Sequence, residues 1–205
     1  MSLKASYRFI APFYNLFLKH ATGKFRQRSL ACLPQKTGSK VLLSGVGTGL
    51  DIPYLPANLT YTGLDLSASM LSRARPCVKT LDMQLLQGNS MQLPFADNSF
   101  DCVVLHLIVA VVPEPHKCLQ EAARVLKAGG QILIFDKFLR RGERAWLRRG
   151  LSPVVAQVAT RLDVIFEDVL EQSSELQLIK DEPVLAGGWF RLIELRKPEE
   201  MGKKQ

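Results

Sequence analysis

Residues 41–67 read VLLSGVGTGLDIPYLPANLTYTGLDLS. The apolar run 41–43 leads into three glycines at alternate positions, Gly45, Gly47 and Gly49. Glycine lets a chain turn through dihedrals other residues avoid, and lets a ligand lie against bare backbone. A strand ending in such a turn presents N–H groups at its carboxyl end, where α/β sheets bind ligands. The spacing is G-x-G-x-G, Leu50 holds the position that would complete G-x-G-x-x-G, and no G-K-[ST] follows. This weakens the case for a dinucleotide pyrophosphate and excludes a nucleoside-triphosphate loop. The next apolar run ends in Asp65, 20 residues beyond Gly45. An acid there can accept hydrogen bonds from both hydroxyls of a ribose. Ser67 is the better N-cap for the helix that follows, which leaves Asp65 to the ligand.

Outward from this stretch, short apolar runs alternate with helical patterns. Strands are expected at 40–44, 60–65, 83–87, 100–106 and 130–136. A short proline-interrupted helix falls near 50–55, longer helices at 67–75 and 115–127, and a basic helical stretch at 143–160. The alternation predicts an α/β fold with a parallel sheet and helices on both faces. Residues 176–197 read as two strands joined through Pro183 and Gly187-Gly188, an antiparallel hairpin at the sheet edge. Segment 4–33 has a helical pattern broken near Ala11-Pro12. The third strand runs into Gly88-Asn89-Ser90 beside apolar Met91, a site able to offer an amide and N–H groups to an adenine edge.

The 205 residues suit one domain, with apolar residues at 47% and charged residues at 22% as in ordinary globular chains. The longest apolar stretch, 102–113, is too short to cross a bilayer, and no export signal is evident, so a cytoplasmic location is expected. Cys32, Cys102 and Cys118 sit in apolar patterns, and with Cys77 they read as reduced thiols. No His, Cys and acid cluster has ligand spacing, so no metal is expected. The net charge of +8 is concentrated in two blocks. Residues 1–40 hold eight Lys/Arg and no acid, and residues 137–161 hold seven against Glu143 alone. Such blocks suit an anionic surface, lipid or nucleic acid, or else two solvated helix faces.

The stretches VLLSGVGTG, GLDLS, GNSMQLPFADNSFD and EAARVLKAGGQILIFD resemble, in order and spacing, the motifs of class I S-adenosylmethionine-dependent methyltransferases. The resemblance implies a Rossmann-like, seven-stranded, mostly parallel sheet with an antiparallel last strand and an N-terminal helical lid. Its expected division is a lid at 1–37 within the same domain, a methyltransferase domain at 38–197 and a disordered tail at 198–205. It further implies S-adenosylmethionine over Gly45, Val46, Gly47 and Gly49, its ribose on Asp65 beside Leu66, and its adenine near Asn89, Ser90 and Met91. S-adenosylhomocysteine is then the product. Two positions depart from the family: Leu43 stands where an acid is usual, and Asn89 where Asp is usual.

The flanks narrow the resemblance. SYRFIAPFYNLFLKHATGKFR is similar to the lid of bacterial phosphatidylethanolamine N-methyltransferases and quinone C-methyltransferases, and DCVVLHLIVAVVPEP and the basic segment after it resemble the phospholipid enzymes more. The expected substrate is lipid-like or amphiphilic, most of all phosphatidylethanolamine, with a quinone precursor or other small molecule as the alternative. A non-catalytic cofactor- or lipid-binding accessory protein is the reading of another class. Aromatic and basic residues of the first helix can lie in a membrane interface, which predicts peripheral binding to an anionic surface. Tyr7, Tyr14, Arg148 and Arg149 are the expected substrate and lid residues, and Tyr14 and His106 the expected catalytic ones. No nucleic-acid partner is expected, since Leu105-His106-Leu107-Ile108 replaces the N/D-P-P-Y type of motif. The expected assembly is a monomer or weak dimer.

Overall fold

The computed structural model describes residues 22–141, 164–185 and 187–199. Seven strands form one sheet: β1 (Lys40–Ser44), β2 (Thr60–Asp65), β3 (Met83–Gln87), β4 (Phe100–His106), β5 (Leu126–Lys137), β6 (Gln177–Leu185) and β7 (Phe190–Arg196). Their order is β3-β2-β1-β4-β5-β7-β6. Neighbours from β3 to β5 pair in parallel, and β7 runs antiparallel to both β5 and β6. Helices α1 (22–30), α2 (Ala68–Ala74), α3 (Pro115–Val125) and α4 (Phe166–Glu171) complete the described fold.

Side chains alternate across the strands with a period of two and so build two core layers. Leu42, Leu64, Val103, Leu105, Ile132 and Ile134 face α3 and α4 residues such as Leu119, Ala122 and Phe166. Val41, Leu43, Tyr61, Cys102, Val104 and Leu133 face Leu30, Ile52, Leu71 and Ala74 on the other side. With both faces covered, the central strands are almost continuously apolar. Phe25 seats α1 against Phe135 and Leu192, its ring 6.1 Å from that of Phe135. At the far edge the buried Arg191 of β7 pairs with Glu167 of α4 and Asp181 of β6, which docks both elements to the sheet.

Four parallel strands match the sequence expectation residue for residue. The antiparallel edge hairpin within 176–197 is present as β6 and β7, with Pro183 inside β6 and the connection at Gly187-Gly188. Several other details need correction. The expected helix at 50–55 is a single 3₁₀ turn, Ile52–Tyr54, with Pro53 in its first positions. Ser67 is the cap of α2, which stops at Ala74 where a 3₁₀ turn, Arg75–Val78, takes in Pro76. Helix α3 ends two residues short of 127, because Leu126 is already extended and pairs with Phe100. Strand β5 therefore starts before the Gly129-Gly130 pair, carried past it by an irregularity in the ladder between Phe100 and Cys102. Cys32 is exposed rather than packed. The break at Ala11-Pro12, the basic stretch 143–160, and the tail beyond Glu199 lie outside the described residues.

Candidate active site

The carboxyl ends of β1, β2 and β4 meet at the glycine loop. Its N–H groups are spent in a defined way: Gly45 and Val46 donate to Leu64 O at 2.7 and 2.9 Å, and Gly47 donates to Asp65 Oδ2 at 2.8 Å. Gly45, Gly47 and Gly49 have φ of +81°, +57° and +83°, the left-handed region that favours glycine. A Cβ on Gly45 would stand 2.9 Å from Ile108, whereas one on Gly47 would meet only Gly45 O at 3.9 Å, an ordinary van der Waals contact. The loop is thus closed on its inner side and bare on its outer side, the form a ligand-bearing backbone requires.

Asp65 is less free than its sequence position implied. Besides Gly47 it accepts the N–H of Ser67 on Oδ1 at 2.9 Å, so it shapes both the loop and the start of α2. Each oxygen keeps a second lone pair for a hydroxyl donor. Leu66 beside it is 69% exposed, apolar surface suited to the flat face of a base. In the third segment, Asn89 turns its Oδ1 back to Met91 N at 3.0 Å, and the Ser90 hydroxyl is buried against Ser44 Oγ at 2.8 Å. The Ser90 side chain therefore braces β1, and only its backbone remains for adenine. The residues that would hold the cofactor fit it: a bare glycine turn, a carboxylate at the next strand end, and an exposed aliphatic side chain.

Leu43 is buried in the apolar layer with Val46, Ile52, Leu71 and Ala74, so no acid lies under the loop from β1. A buried acid does stand two residues beyond Gly49: Asp51, which the sequence did not single out. Its Oδ1 accepts Nη1 of Arg26 at 2.9 Å and faces Nδ1 of His106 at 2.8 Å. Arg26 also donates to Thr22 Oγ1 at 3.1 Å, and Nε2 of His106 lies 2.9 Å from Ser29 Oγ. All five side chains are buried. Burial would raise the Asp51 pKa, but its interactions with His106 and Arg26 outweigh that and hold it well below the usual carboxylate range. Thr22, Arg26 and Ser29 recur at helical spacing, a polar stripe legible in the sequence once α1 is placed.

His106 does not stand open at the cleft. Both ring nitrogens are engaged, the residue is 4% exposed, and its ring meets Phe135 edge-on. A general base needs a nitrogen within reach of the substrate proton, and here none is free. Asp136, at the end of β5, is fully buried and accepts the N–H groups of Ala110 and Lys137 at 3.0 and 2.8 Å. It thereby holds the turn after β4, in which Leu107 has a φ of +58°. Burial pushes its pKa up to about 6, against the pull of those backbone bonds. Tyr7, Tyr14, Arg148 and Arg149 lie outside the described residues.

Comparison with known proteins agrees with this geometry. Residues 42–134 match the family model described as a methyltransferase domain. Over 176 residues the chain is 32% identical to a phosphatidylethanolamine N-methyltransferase of Cereibacter sphaeroides, covering 83% of this chain and 86% of that one. It is also 32% identical over 152 residues to a demethylmenaquinone methyltransferase of Paenarthrobacter aurescens, covering 69% of this chain and 58% of the relative. Among solved structures, a Thermotoga maritima S-adenosylmethionine-dependent methyltransferase has a TM-score of 0.68 at 20% identity, covering 93% of this chain and 97% of the other. A chain of the Haloferax volcanii complex containing the Trm112 methyltransferase activator has a TM-score of 0.74 at 19% identity, covering 94% and 97%. The chain belongs to the class I S-adenosylmethionine-dependent methyltransferases. It is an enzyme of that family, and S-adenosylmethionine is its cofactor.

Proposed function

We propose that this methyltransferase acts on an amphiphilic acceptor at a membrane surface, and that the acceptor is the amine of phosphatidylethanolamine. The observation that carries the reading is the 32% identity to the Cereibacter enzyme over 86% of its length. The two basic blocks of the sequence support it, since clustered Lys and Arg attract anionic leaflets at about 1 kcal/mol each. The attachment we propose is peripheral; among the described residues no helix is long and apolar enough to cross a membrane.

The cofactor supplies an activated methyl group on its sulfonium, and the protein has to align the acceptor and exclude water. Asp65 and the backbone of 45–49 bind the cofactor, Leu66 and Met91 flank the adenine, and Asn89 borders its edge. The ammonium of the headgroup must lose a proton before it can attack. Tyr7 and Tyr14 are the groups we assign to receive or relay it, and Arg148 and Arg149 meet the lipid phosphate. His106 is assigned to position the neighbouring elements. A quinone precursor is the second reading, favoured by the Paenarthrobacter match.

The test uses labelled cofactor with vesicles of phosphatidylethanolamine and phosphatidylglycerol, and in parallel with demethylmenaquinone in the same vesicles. Label in the headgroup, falling as salt is raised, supports the first reading. Label in the quinone alone moves the assignment to the second, and label in neither overturns both.

A further inference from the structure

The glycine loop is the least self-supporting part of the site, because three of residues 45–49 are glycines with positive φ. Its shape must be imposed by neighbours. Leu64 O and Asp65 impose it at the entry. Two residues beyond Gly49, Asp51 occupies the N-cap position of the Ile52–Tyr54 turn, yet its side chain makes no capping bond there. It turns away to Arg26 on α1 and His106 on β4, each steadied by a second buried partner, Thr22 and Ser29. Position 43, the other place from which an acid could support the loop, is filled by packed Leu43. A buried ion pair rarely gives more net stability than apolar side chains of the same volume. Fold stability alone therefore does not account for this one.

We propose that Asp51 is a positioning residue for cofactor binding: through Arg26 and His106 it fixes the exit of the glycine loop, so that the loop meets the cofactor already in its binding shape. No contact between Asp51 and the cofactor is required. A turn held in shape beforehand saves the ordering cost that binding would otherwise carry. The arrangement also makes α1 a part of the cofactor site, although no residue of α1 belongs to the glycine motif.

The test is calorimetric titration of the whole protein with S-adenosylhomocysteine, with urea unfolding of each variant alongside. The double variant Arg26→Met/Asp51→Leu replaces the pair with apolar side chains of similar size. It is expected to unfold at a urea midpoint equal to or above that of the wild type, yet to bind at least about tenfold more weakly. A double variant as stable as the wild type with an unchanged Kd overturns the proposal, since the network then only fills the core. If the double variant does not fold, Asp51→Asn decides. A Kd raised about tenfold, together with faster amide exchange over residues 45–50, supports the proposal. An unchanged Kd overturns it. Wild-type protein that fails to bind at all would overturn it together with the cofactor assignment.

Discussion

Asp136 gives the sharpest test of the site's electrostatics. Its carboxylate is fully buried, and burial lifts its pKa from 3.8 to about 6. The groups nearest in charge are the half-buried Lys137, whose own pKa burial lowers, and the Cys118 thiol, which burial raises. Since the folded pKa exceeds the unfolded one, the unfolded chain gives up this proton first as pH rises. The group's contribution to stability is therefore fully present below about pH 4 and is lost as pH passes through about 6. A shift of about two units corresponds to about 3 kcal/mol. Asp51 works in the opposite sense, contributing above the ordinary carboxylate range and fading on acidification, so the whole-protein pH curve mixes the two. Substituting Asp136→Asn removes only the first. Urea unfolding of wild type and variant in steps from about pH 4 to 7 should show the wild type's relative stability falling by about 3 kcal/mol across the range. A difference that stays flat with pH would refute the reasoning, because Asp136 would then titrate alike in both states.

Two further outcomes follow from the loop geometry. Asp65→Ala removes both the Gly47 anchor and the ribose acceptor, so S-adenosylhomocysteine binding measured by calorimetry should fall about a hundredfold, and unchanged affinity would move the cofactor off this strand end. Gly45→Ala places a side chain at φ +81° and 2.9 Å from Ile108, and should lower stability by about 2–4 kcal/mol in urea titration. Adding Ile108→Ala should restore only the part due to the Ile108 Cγ1 and Cδ1 atoms, because alanine keeps the Cβ that also stands 2.9 Å away.

Much of this fold was legible because its strands are short apolar runs with sharp ends. β1 and β3 stop at a glycine and β2 at Asp65, so their bounds could be read directly, while β4 ends at His106 where apolar Leu107 turns through a φ of +58°. β5 was misread because Gly129-Gly130 looks like a turn, whereas the ladder tolerates the irregularity there and begins at Leu126. At the site, the glycines and Asp65 were readable from local spacing, since each works on backbone near it in sequence or on the adjoining strand. The network around Asp51 was not, because its partners are 25 and 55 residues away and only the packing of α1 onto β4 brings them together. The surroundings of His106 were hidden for the same reason: a histidine at a strand end reads as open until the helix that covers it is placed. The Ser44–Ser90 pair, 46 residues apart, was equally invisible.

The turn that follows the glycine loop spans only Ile52–Tyr54, and Pro53 withholds one of its N–H groups. A full helix at that place would direct about half a unit of positive charge at whatever lies on the loop. That field suits a pyrophosphate and opposes a sulfonium. With the helix cut to a single turn, a cationic ligand meets no such barrier and an anionic one finds no such attraction. The loop thus imposes no helix-terminus charge preference of its own, and selection among cofactors falls to the contacts with ribose and base.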